Sequence, residues 1–524
     1  MSSGPKRTRK PSLPLVWLPR SALANGIRIS GGSGSGKSVL AGGICFQNFR
    51  QGVPQVILDP HGGTIDFFLA NVWKWCQSGP LSTADQHKMW QRIYYADMSG
   101  KQGRVTTFPL IYRLGNESLH EIAQRLVSTY ARLDPALMSA SIEGFNALKS
   151  VLIPAGMSVA ALGWQVTEII DLLDSQNAGD WKSRFAQAVA RYPDAKVAVD
   201  YFKQTYFQMK ASDRSRRNSS LLNKLDNFRY NPTMRAIYAA SQPTLDWQRV
   251  IDQGQTVLID FRGVLNAEER RFGLLWCLFY SFVEYIKHRG KGRHNKSVAL
   301  TIDELSEFGQ LQVETGSSVF SQDLNNLINI LKRQYRLILT IIHQEAYQLD
   351  PDTRKTLLSM GNQILGVSHD DESALEMARQ FIPYRPRAKR YEPIYSSTPN
   401  GPEVIDERRV DYSLEEQRAL AAQAFTNLGR FKFLVKLSTG EGDTTGRFVP
   451  MTIEPLIGRW VPEEQIAHIR ALLGQRDGRP IDDVLAEIEQ RTKQPQSLKS
   501  DSKRDKLKGS QQDKDDGHDH DFFI

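Results

Sequence analysis

Short runs of aliphatic and β-branched residues alternate along this chain with segments whose apolar positions recur at helical spacing. Apolar runs that are continuous along a strand are typical of parallel strands that helices cover on both faces. The pattern predicts strands at residues 27–29, 55–59, 92–97, 256–260, 297–303, 337–342 and 363–367. Residues 431–437 alternate between polar and apolar side chains, which predicts a late, half-exposed edge strand. We therefore predict an α/β fold with a mainly parallel central sheet.

The stretch from Glu117 to Ala240 has helical periodicity throughout and almost no strand signal. It predicts an all-helical domain inserted into the α/β domain. The insertion is rich in cationic side chains, which are expected on a solvated helical face or against DNA or a neighbouring subunit. Near the C-terminus, the periodicity predicts two amphipathic helices, Glu463–Leu473 and Asp482–Gln490.

These patterns divide the chain into five parts. Residues 1–19 form a basic, flexible arm that prolines interrupt. The α/β domain comprises residues 20–116 and 241–455, and the helical insertion comprises residues 117–240. Residues 456–491 carry the C-terminal helices. Residues 492–524 are rich in Lys, Asp, Ser and Gln and predict a disordered charged tail.

Composition narrows the classes of protein that this chain can represent. Its three cysteines include no C-x-x-C pair, which argues against a disulfide framework and a structural zinc site. No apolar run reaches the length of a membrane span and no signal peptide is evident, so we expect no direct membrane insertion and a cytoplasmic location. The net charge of +9 favours an anionic partner such as nucleic acid, although it is spread over 524 residues.

The segment after the first predicted strand matches the P-loop pattern G-x-x-x-x-G-K-[ST]. Glycines in such a loop let successive backbone N–H groups converge on a phosphate at the start of a helix. The pattern predicts that Lys37 contacts the β and γ phosphates of ATP and that the Ser38 hydroxyl is a ligand of Mg²⁺. The expected nucleotide-binding residues are Gly31, Gly32, Ser33, Gly34, Ser35, Gly36, Lys37, Ser38 and Val39.

Two later strands end in residues that suit hydrolysis of a nucleotide. Asp303 and Glu304 follow a buried strand, which predicts Asp303 as a Mg²⁺ ligand and Glu304 as the general base that activates water. Gln344 follows the next strand and is expected to sense the γ-phosphate or the attacking water. Arg333, just before that strand, is the candidate for an arginine that acts on the nucleotide of a neighbouring subunit, with Arg336 and Arg262 as alternatives.

The order of these motifs, together with Asp59-Pro-His-Gly62 and the Thr244–Asp260 segment, resembles the HerA/FtsK superfamily of P-loop ATPases. Within it, the sequence is most similar to the type IV secretion coupling proteins of the VirD4/TraG/TraD kind, over residues 27–449. The resemblance implies a RecA-like fold, ATP and Mg²⁺ as cofactors, and a hexameric ring that moves DNA or nucleoprotein through its channel. Two departures are the absence of N-terminal membrane helices and Gly63, where relatives often carry an acidic residue.

Three functions remain open from the sequence. The first is an ATPase that translocates DNA, which docks at the inner membrane through a membrane-bound secretion partner. The second is an ATPase that secretes protein, and the third is an adaptor that binds ATP to assemble a complex and turns over little. The segment Tyr384–Tyr391 interleaves aromatic and cationic side chains, which is expected of a single-strand DNA contact or of a plain exposed loop.

Overall fold

The computed structural model describes residues 17–18, 20–78, 81–133, 142–175, 178–291, 296–309, 319–344, 348–382, 385–398, 401–438, 449–493 and 522–523. The predicted basic arm and charged tail lie almost wholly outside these residues. So does Tyr384.

A nine-stranded sheet forms the centre of the molecule. Its strands and those of a separate hairpin are β1 Ile27–Ser30, β2 Gln55–Asp59, β3 Ile93–Asp97, β4 Thr256–Asp260, β5 Val298–Ile302, β6 Leu337–His343, β7 Asn362–Leu365, β8 Ala388–Thr398, β9 Gly401–Asp411, β10 Lys432–Lys436 and β11 Val449–Thr452. The order in the sheet is β11-β10-β7-β1-β6-β5-β2-β4-β3. The seven strands from β7 to β3 are parallel, so their carboxyl ends share one edge.

Helices cover both faces of the sheet, and a helical insertion lies between β3 and β4 in the chain. The helices are α1 Lys37–Arg50, α2 Gly63–Ser78, α3 Thr83–Gln91, α4 Leu119–Leu133, α5 Ile142–Leu162, α6 Val166–Asp174, α7 Lys182–Arg191, α8 Ala195–Gln204, α9 Ala211–Tyr230, α10 Pro232–Tyr238, α11 Trp247–Asp252, α12 Ala267–Leu275, α13 Glu284–Arg289, α14 Val319–Asn326, α15 Lys332–Gln334, α16 Pro351–Leu358, α17 Asp371–Phe381, α18 Leu414–Thr426, α19 Glu463–Asp477 and α20 Ile481–Lys493. Residues 276–283 and 327–331 are π-helical and join neighbouring helices.

Two assignments from the sequence are wrong. The segment around β10 is not an edge strand, because β11 pairs on its outer side. Pro450 has no backbone N–H and argues against a strand in the sequence, so β11 was not predicted. An edge strand tolerates such a proline, because its outer side needs no donor. Residues 388–391 are not a plain loop. They begin β8, which pairs with β9 in an exposed antiparallel hairpin.

The C-terminal helices join the sheet to the insertion. Asp477 of α19 accepts a hydrogen bond from the backbone N–H of Tyr95 in β3 at 2.8 Å. Arg491 of α20 contacts Glu168 of the insertion at 2.9 Å, and both side chains are 1% exposed. The Arg491 guanidinium also donates to the carbonyl oxygen of Ala239 at 2.7 Å. The helices α19 and α20 thus hold the insertion against the α/β domain.

Among the described residues, no single helix is both long and apolar enough to cross a membrane. The helices Leu148–Leu162 and Val166–Asp174, which bend by 119° at their junction, satisfy that test only as a pair.

We expect Arg491→Met to loosen α20 strongly, because it leaves the buried carboxylate of Glu168 without a cation. Removing one partner of a buried ion pair typically costs about 3–5 kcal/mol. Hydrogen exchange of the α20 amides measures this change as a fall in the free energy of local opening. Lys287→Met is the matched control, because the exposed Lys287–Glu284 pair contributes less than about 1 kcal/mol. Unchanged exchange in α20 would contradict this role of Arg491.

Candidate functional site

The glycine-rich loop leaves β1 at the carboxyl edge of the sheet and leads directly into α1. Gly34 and Gly36 adopt φ of 73° and 103°, a region that residues with a Cβ rarely occupy. The side chain of Lys37 turns back over the loop and donates to the carbonyl oxygens of Gly31 at 2.7 Å and Gly32 at 3.0 Å. A bound phosphate therefore has to draw this ammonium group away from the loop carbonyls.

Flanking segments pack tightly on both ends of this loop. A Cβ added to Gly32 would lie 2.1 Å from the ring of His369, and one added to Gly36 would lie 2.5 Å from the ring of Phe431. The backbone N–H of Phe431 donates to the carbonyl oxygen of Ser35 at 2.9 Å. The loop conformation is therefore fixed by residues far away in the sequence as well as by its own glycines.

Asp303 lies beside the start of α2, which in turn lies beside Ser38. The Thr64 hydroxyl donates to Oδ2 of Asp303 at 2.7 Å. A Cβ on the preceding residue, Gly63, would lie 3.2 Å from Oγ of Ser38. Burial raises the pKa of Asp303, whereas Thr64 and the ammonium group of Lys37 oppose this rise. The predicted Mg²⁺ ligands Ser38 and Asp303 and the P-loop lysine thus meet in one place.

Both carboxylate oxygens of Glu304 are held by hydrogen bonds. Oε2 accepts from Nε2 of Gln344 at 2.8 Å, and Oε1 accepts from the Ser306 hydroxyl at 2.6 Å. Glu304 has a φ of 45°, a strained conformation for a residue with a side chain that typically costs about 1–3 kcal/mol. The backbone N–H of Glu304 donates to Oδ1 of Asp303 at 2.9 Å, which helps to maintain the turn.

Gln344 extends from a buried polar cluster at the end of β6. His343 is 1% exposed, and its Nε2 accepts a hydrogen bond from Nε of Arg28 at 2.8 Å. Burial lowers the pKa of His343 well below its usual range, and the charges of Arg28 and Lys37 act in the same direction. The imidazole is therefore neutral, and its hydrogen bond with Arg28 fixes the ring at the end of β6, next to Gln344 in the chain.

The Asp-Pro-His-Gly turn after β2 folds around the carboxylate of Asp59. This carboxylate accepts hydrogen bonds from the backbone N–H groups of His61, Gly62 and Ile65 at 3.0, 2.6 and 3.0 Å. Burial raises the pKa of Asp59, and the nearby carboxylates of Asp303 and Asp260 raise it further. A cation beside Ser38 would relieve this crowding of negative charge.

The three candidate arginines lie in different places. The guanidinium of Arg262 contacts the carboxylates of Asp260 at 2.8 Å and Asp66 at 2.7 Å, so it is engaged within its own subunit. Arg333 is exposed and precedes β6, while Gln344 follows it. A seven-residue strand spans roughly 20 Å, so Arg333 lies at the opposite edge of the sheet from the glycine-rich loop. Arg336 shares this edge.

Several site residues were not predicted from the sequence. Thr64 and Ser306 hold the acidic pair, and His61 contacts Glu307 at 3.3 Å beside it. Hydrogen bonding to His61 lowers the pKa of Glu307 to about 2, and Arg270 contributes to this shift. His61 belongs to the Asp59–Gly62 turn that the sequence singled out, Thr64 follows that turn by two positions, and Ser306 follows Glu304 by two positions, so these motifs were the available signal.

These residues fit a magnesium–nucleotide complex. Oxygen donors such as the hydroxyl of Ser38 and the carboxylate of Asp303 suit Mg²⁺, which usually shares its site with substrate phosphates. Gly63 leaves the space beside Ser38 free of a side chain. The backbone N–H of Gly32 donates to the carbonyl oxygen of Val367 at 2.6 Å, so the phosphate-binding N–H groups have to come from the rest of the loop. Together they can bind a triphosphate and polarise a water molecule next to it.

No protein-family model matches the sequence, and a comparison with curated proteins also gives no match. Among solved structures, the chain is similar to the bacterial conjugative coupling protein TrwB in its unbound form. The TM-score is 0.52 at 14% identity, over 85% of this chain and 90% of that one. TrwB with ADP and Mg²⁺ gives a TM-score of 0.49 at 14% identity, over 88% and 93% of the two chains. VirB4 of Thermoanaerobacter pseudethanolicus gives 0.47 at 12%, over 84% and 90%.

The likeness to unbound TrwB establishes the fold. The chain has a RecA-type P-loop fold, with a large, mostly parallel sheet and helices on both faces. The resemblance to coupling proteins that the sequence motifs indicated is thus confirmed at the level of the fold.

We expect Gly63→Ala to weaken the Mg²⁺-dependent part of nucleotide binding, because the new methyl group lies 3.2 Å from Oγ of Ser38. Overpacking of this kind typically costs about 1–3 kcal/mol. Titration of a fluorescent ATP analogue in Mg²⁺ and in EDTA separates the Mg²⁺-dependent part of the affinity from the Mg²⁺-independent part. Gly43→Ala in α1 is the matched control, because its Cβ meets nothing within 4 Å. Equal affinities of the two variants in Mg²⁺ would contradict this placement of the metal.

Proposed function

We propose that the protein is an ATP-hydrolysing ring motor of the HerA/FtsK/VirD4 type that moves DNA or nucleoprotein in conjugative transfer or type IV secretion. One observation carries the proposal. Lys37 and Ser38 at the glycine-rich loop lie together with Asp303, Glu304 and Gln344 at the ends of two neighbouring strands. This is the set of groups that phosphoryl transfer to water requires.

Each residue has a distinct role in the proposed reaction. Lys37 and the loop N–H groups would bind the β and γ phosphates, and Ser38 and Asp303 would hold Mg²⁺, which would neutralise phosphate charge. Glu304 accepts a proton from the attacking water. Gln344 would orient that water and sense the γ-phosphate, a role that its hydrogen bond to the same carboxylate supports.

The strained backbone and the hydrogen bonds of Glu304 favour hydrolysis over the alternative of an adaptor with little turnover. A backbone strain of about 1–3 kcal/mol persists only where surrounding contacts enforce it, and such strain is concentrated at active sites. Here both carboxylate oxygens are fixed, which prepares the group for proton transfer. A protein-secretion ATPase would use the same site, so the two motor functions differ in cargo rather than in chemistry.

The proposed cargo and assembly rest on the net charge and the fold of the chain rather than on the site itself. The net charge of +9 favours an anionic cargo, and the chain shares its fold with a conjugative coupling protein. We propose a homohexameric ring in the cytoplasm that reaches the inner membrane through a secretion partner. In such a ring, Arg333 at the far edge of the sheet would act on the nucleotide of the next subunit.

We expect the purified full-length chain to hydrolyse ATP and DNA to stimulate this activity. Glu304→Gln should bind ATP with near-normal affinity and lose about 10²–10⁴-fold in kcat, because a positioned general base contributes about that much. Glu268→Gln, an exposed acid at the start of α12, is the control and should keep full activity. Steady-state assays with single-stranded, double-stranded and no DNA test the proposal. Normal turnover by Glu304→Gln would refute the catalytic assignment, and an ATPase indifferent to DNA would favour a protein cargo.

We expect Arg333→Ala to be inactive alone but active when mixed with Glu304→Gln. In mixed rings, a subunit with an intact Glu304 can receive Arg333 from its neighbour, so some interfaces regain a complete site. An arginine that acts between subunits contributes about 10³–10⁵-fold in kcat, which makes the recovery easy to measure. Arg262→Ala mixed in the same way should give no recovery, because Arg262 is bonded within its own subunit. No recovery with Arg333→Ala would refute its role between subunits.

A further inference from the structure

Arg430 and Phe431 form a stacked pair against the outer side of the glycine-rich loop. The Cζ atom of Arg430 lies 4.8 Å from the centre of the Phe431 ring. Nε of Arg430 donates to the carbonyl oxygen of Gly34 at 3.1 Å. The opposite side of the pair is closed, because the Phe431 ring packs where a Cβ of Gly36 would be. The guanidinium of Arg430 is thus held over the Phe431 ring at the solvent-exposed surface of the loop.

Phe431 maintains this arrangement in a strained backbone conformation. Its φ is 63°, which is unusual for a bulky aromatic residue. Hydrogen bonds fix both of its backbone groups, since its N–H donates to Ser35 and its carbonyl oxygen accepts from Ile453 at 3.0 Å. Strain at a position so firmly held is typical of ligand clamps. Neither Arg430 nor Phe431 belongs to any motif found in the sequence.

The order of the strands shows which part of a nucleotide meets this pair. Glu304 and Gln344, which face the γ-phosphate in the proposed function, follow β5 and β6 on one side of β1. On the other side of β1 lie β7 and then β10, and Phe431 immediately precedes β10. A triphosphate whose γ end points towards β5 and β6 therefore directs its ribose and base towards β7 and β10.

We propose that Arg430 is the platform for the base of the bound nucleotide. The base stacks on the exposed face of the guanidinium, and Phe431 is a positioning residue that keeps this face flat. Planar guanidinium groups stack on aromatic rings, whereas the compact ammonium group of a lysine does not. Stacking uses the π-face that every base has, so the platform accepts nucleoside triphosphates as a class, whichever base they carry. This inference rests on the proposed function, because it requires the γ-phosphate to face Glu304.

Comparison of ATP with inorganic tripolyphosphate, both with Mg²⁺, tests the proposal on the full-length chain. Arg430→Ala should raise the Kd for ATP about tenfold or more, the effect typical of losing one base-stacking contact. The Kd for tripolyphosphate, which has no base, should stay unchanged. Arg430→Lys should resemble Arg430→Ala, because it keeps the charge and loses the plane. Recovery of ATP affinity in Arg430→Lys, or equal losses for both ligands, would overturn the proposal in favour of a phosphate contact.

Phe431→Gly tests the positioning role without adding strain, because glycine adopts positive φ freely. It should weaken ATP binding as Arg430→Ala does and leave tripolyphosphate binding unchanged, and a loss for both ligands would indicate a damaged loop. Arg459→Ala is the matched control, since it removes an exposed arginine stacked on Trp460 at 5.6 Å in the segment before α19.

Failure of the unmodified chain to bind either ligand would refute the proposed function itself. Binding of both by the unmodified chain, with no effect of Arg430→Ala, would refute only the base platform.

Discussion

The site depends on one constraint: segments from elsewhere in the chain pack closely against the glycine-rich loop. His369, after β7, and Phe431, before β10, both occupy space that a side chain on the loop would need. A phosphate loop has to present its N–H groups inward, and here the surrounding segments help to enforce that shape. In this shape the Lys37 ammonium group donates to the loop carbonyls of Gly31 and Gly32.

The acidic half of the site is connected to the rest of the molecule through α2. This helix begins with Gly63 and Thr64, next to Ser38 and Asp303, and one turn later Asp66 binds both Arg262 and Arg470 of α19. The helix α20 follows α19 and is bonded to the insertion through Arg491. Side-chain contacts and the helices α2, α19 and α20 thus connect the predicted Mg²⁺ ligands to the helical insertion. The C-terminal helices are part of the frame of the site as well as an appendage to the domain.

The sequence was informative where local chemistry decides structure. Strands such as Val298–Ile302 are continuous apolar runs that end in polar residues, and their bounds agree with the prediction to within one or two residues. The P-loop and the Asp303–Glu304 pair carry their chemistry in consecutive residues. Predictions failed where tertiary contacts decide: β11 contains a proline, and β8–β9 mixes charges with apolar residues without clear alternation. His369, Arg430 and Phe431 acquire their positions only through packing against a loop more than 300 residues earlier.

The ion pair between Arg491 and Glu168 has a consequence for the synthesis of the chain. The two residues are 323 positions apart, and ribosomes add about 5–20 residues per second, so Glu168 is made roughly 15–65 s before its partner. During that interval the carboxylate cannot be buried at its final position without a large desolvation penalty. The insertion therefore reaches its final packing only after translation has passed Arg491. Truncated polypeptides released before Arg491 is made lack this ion pair.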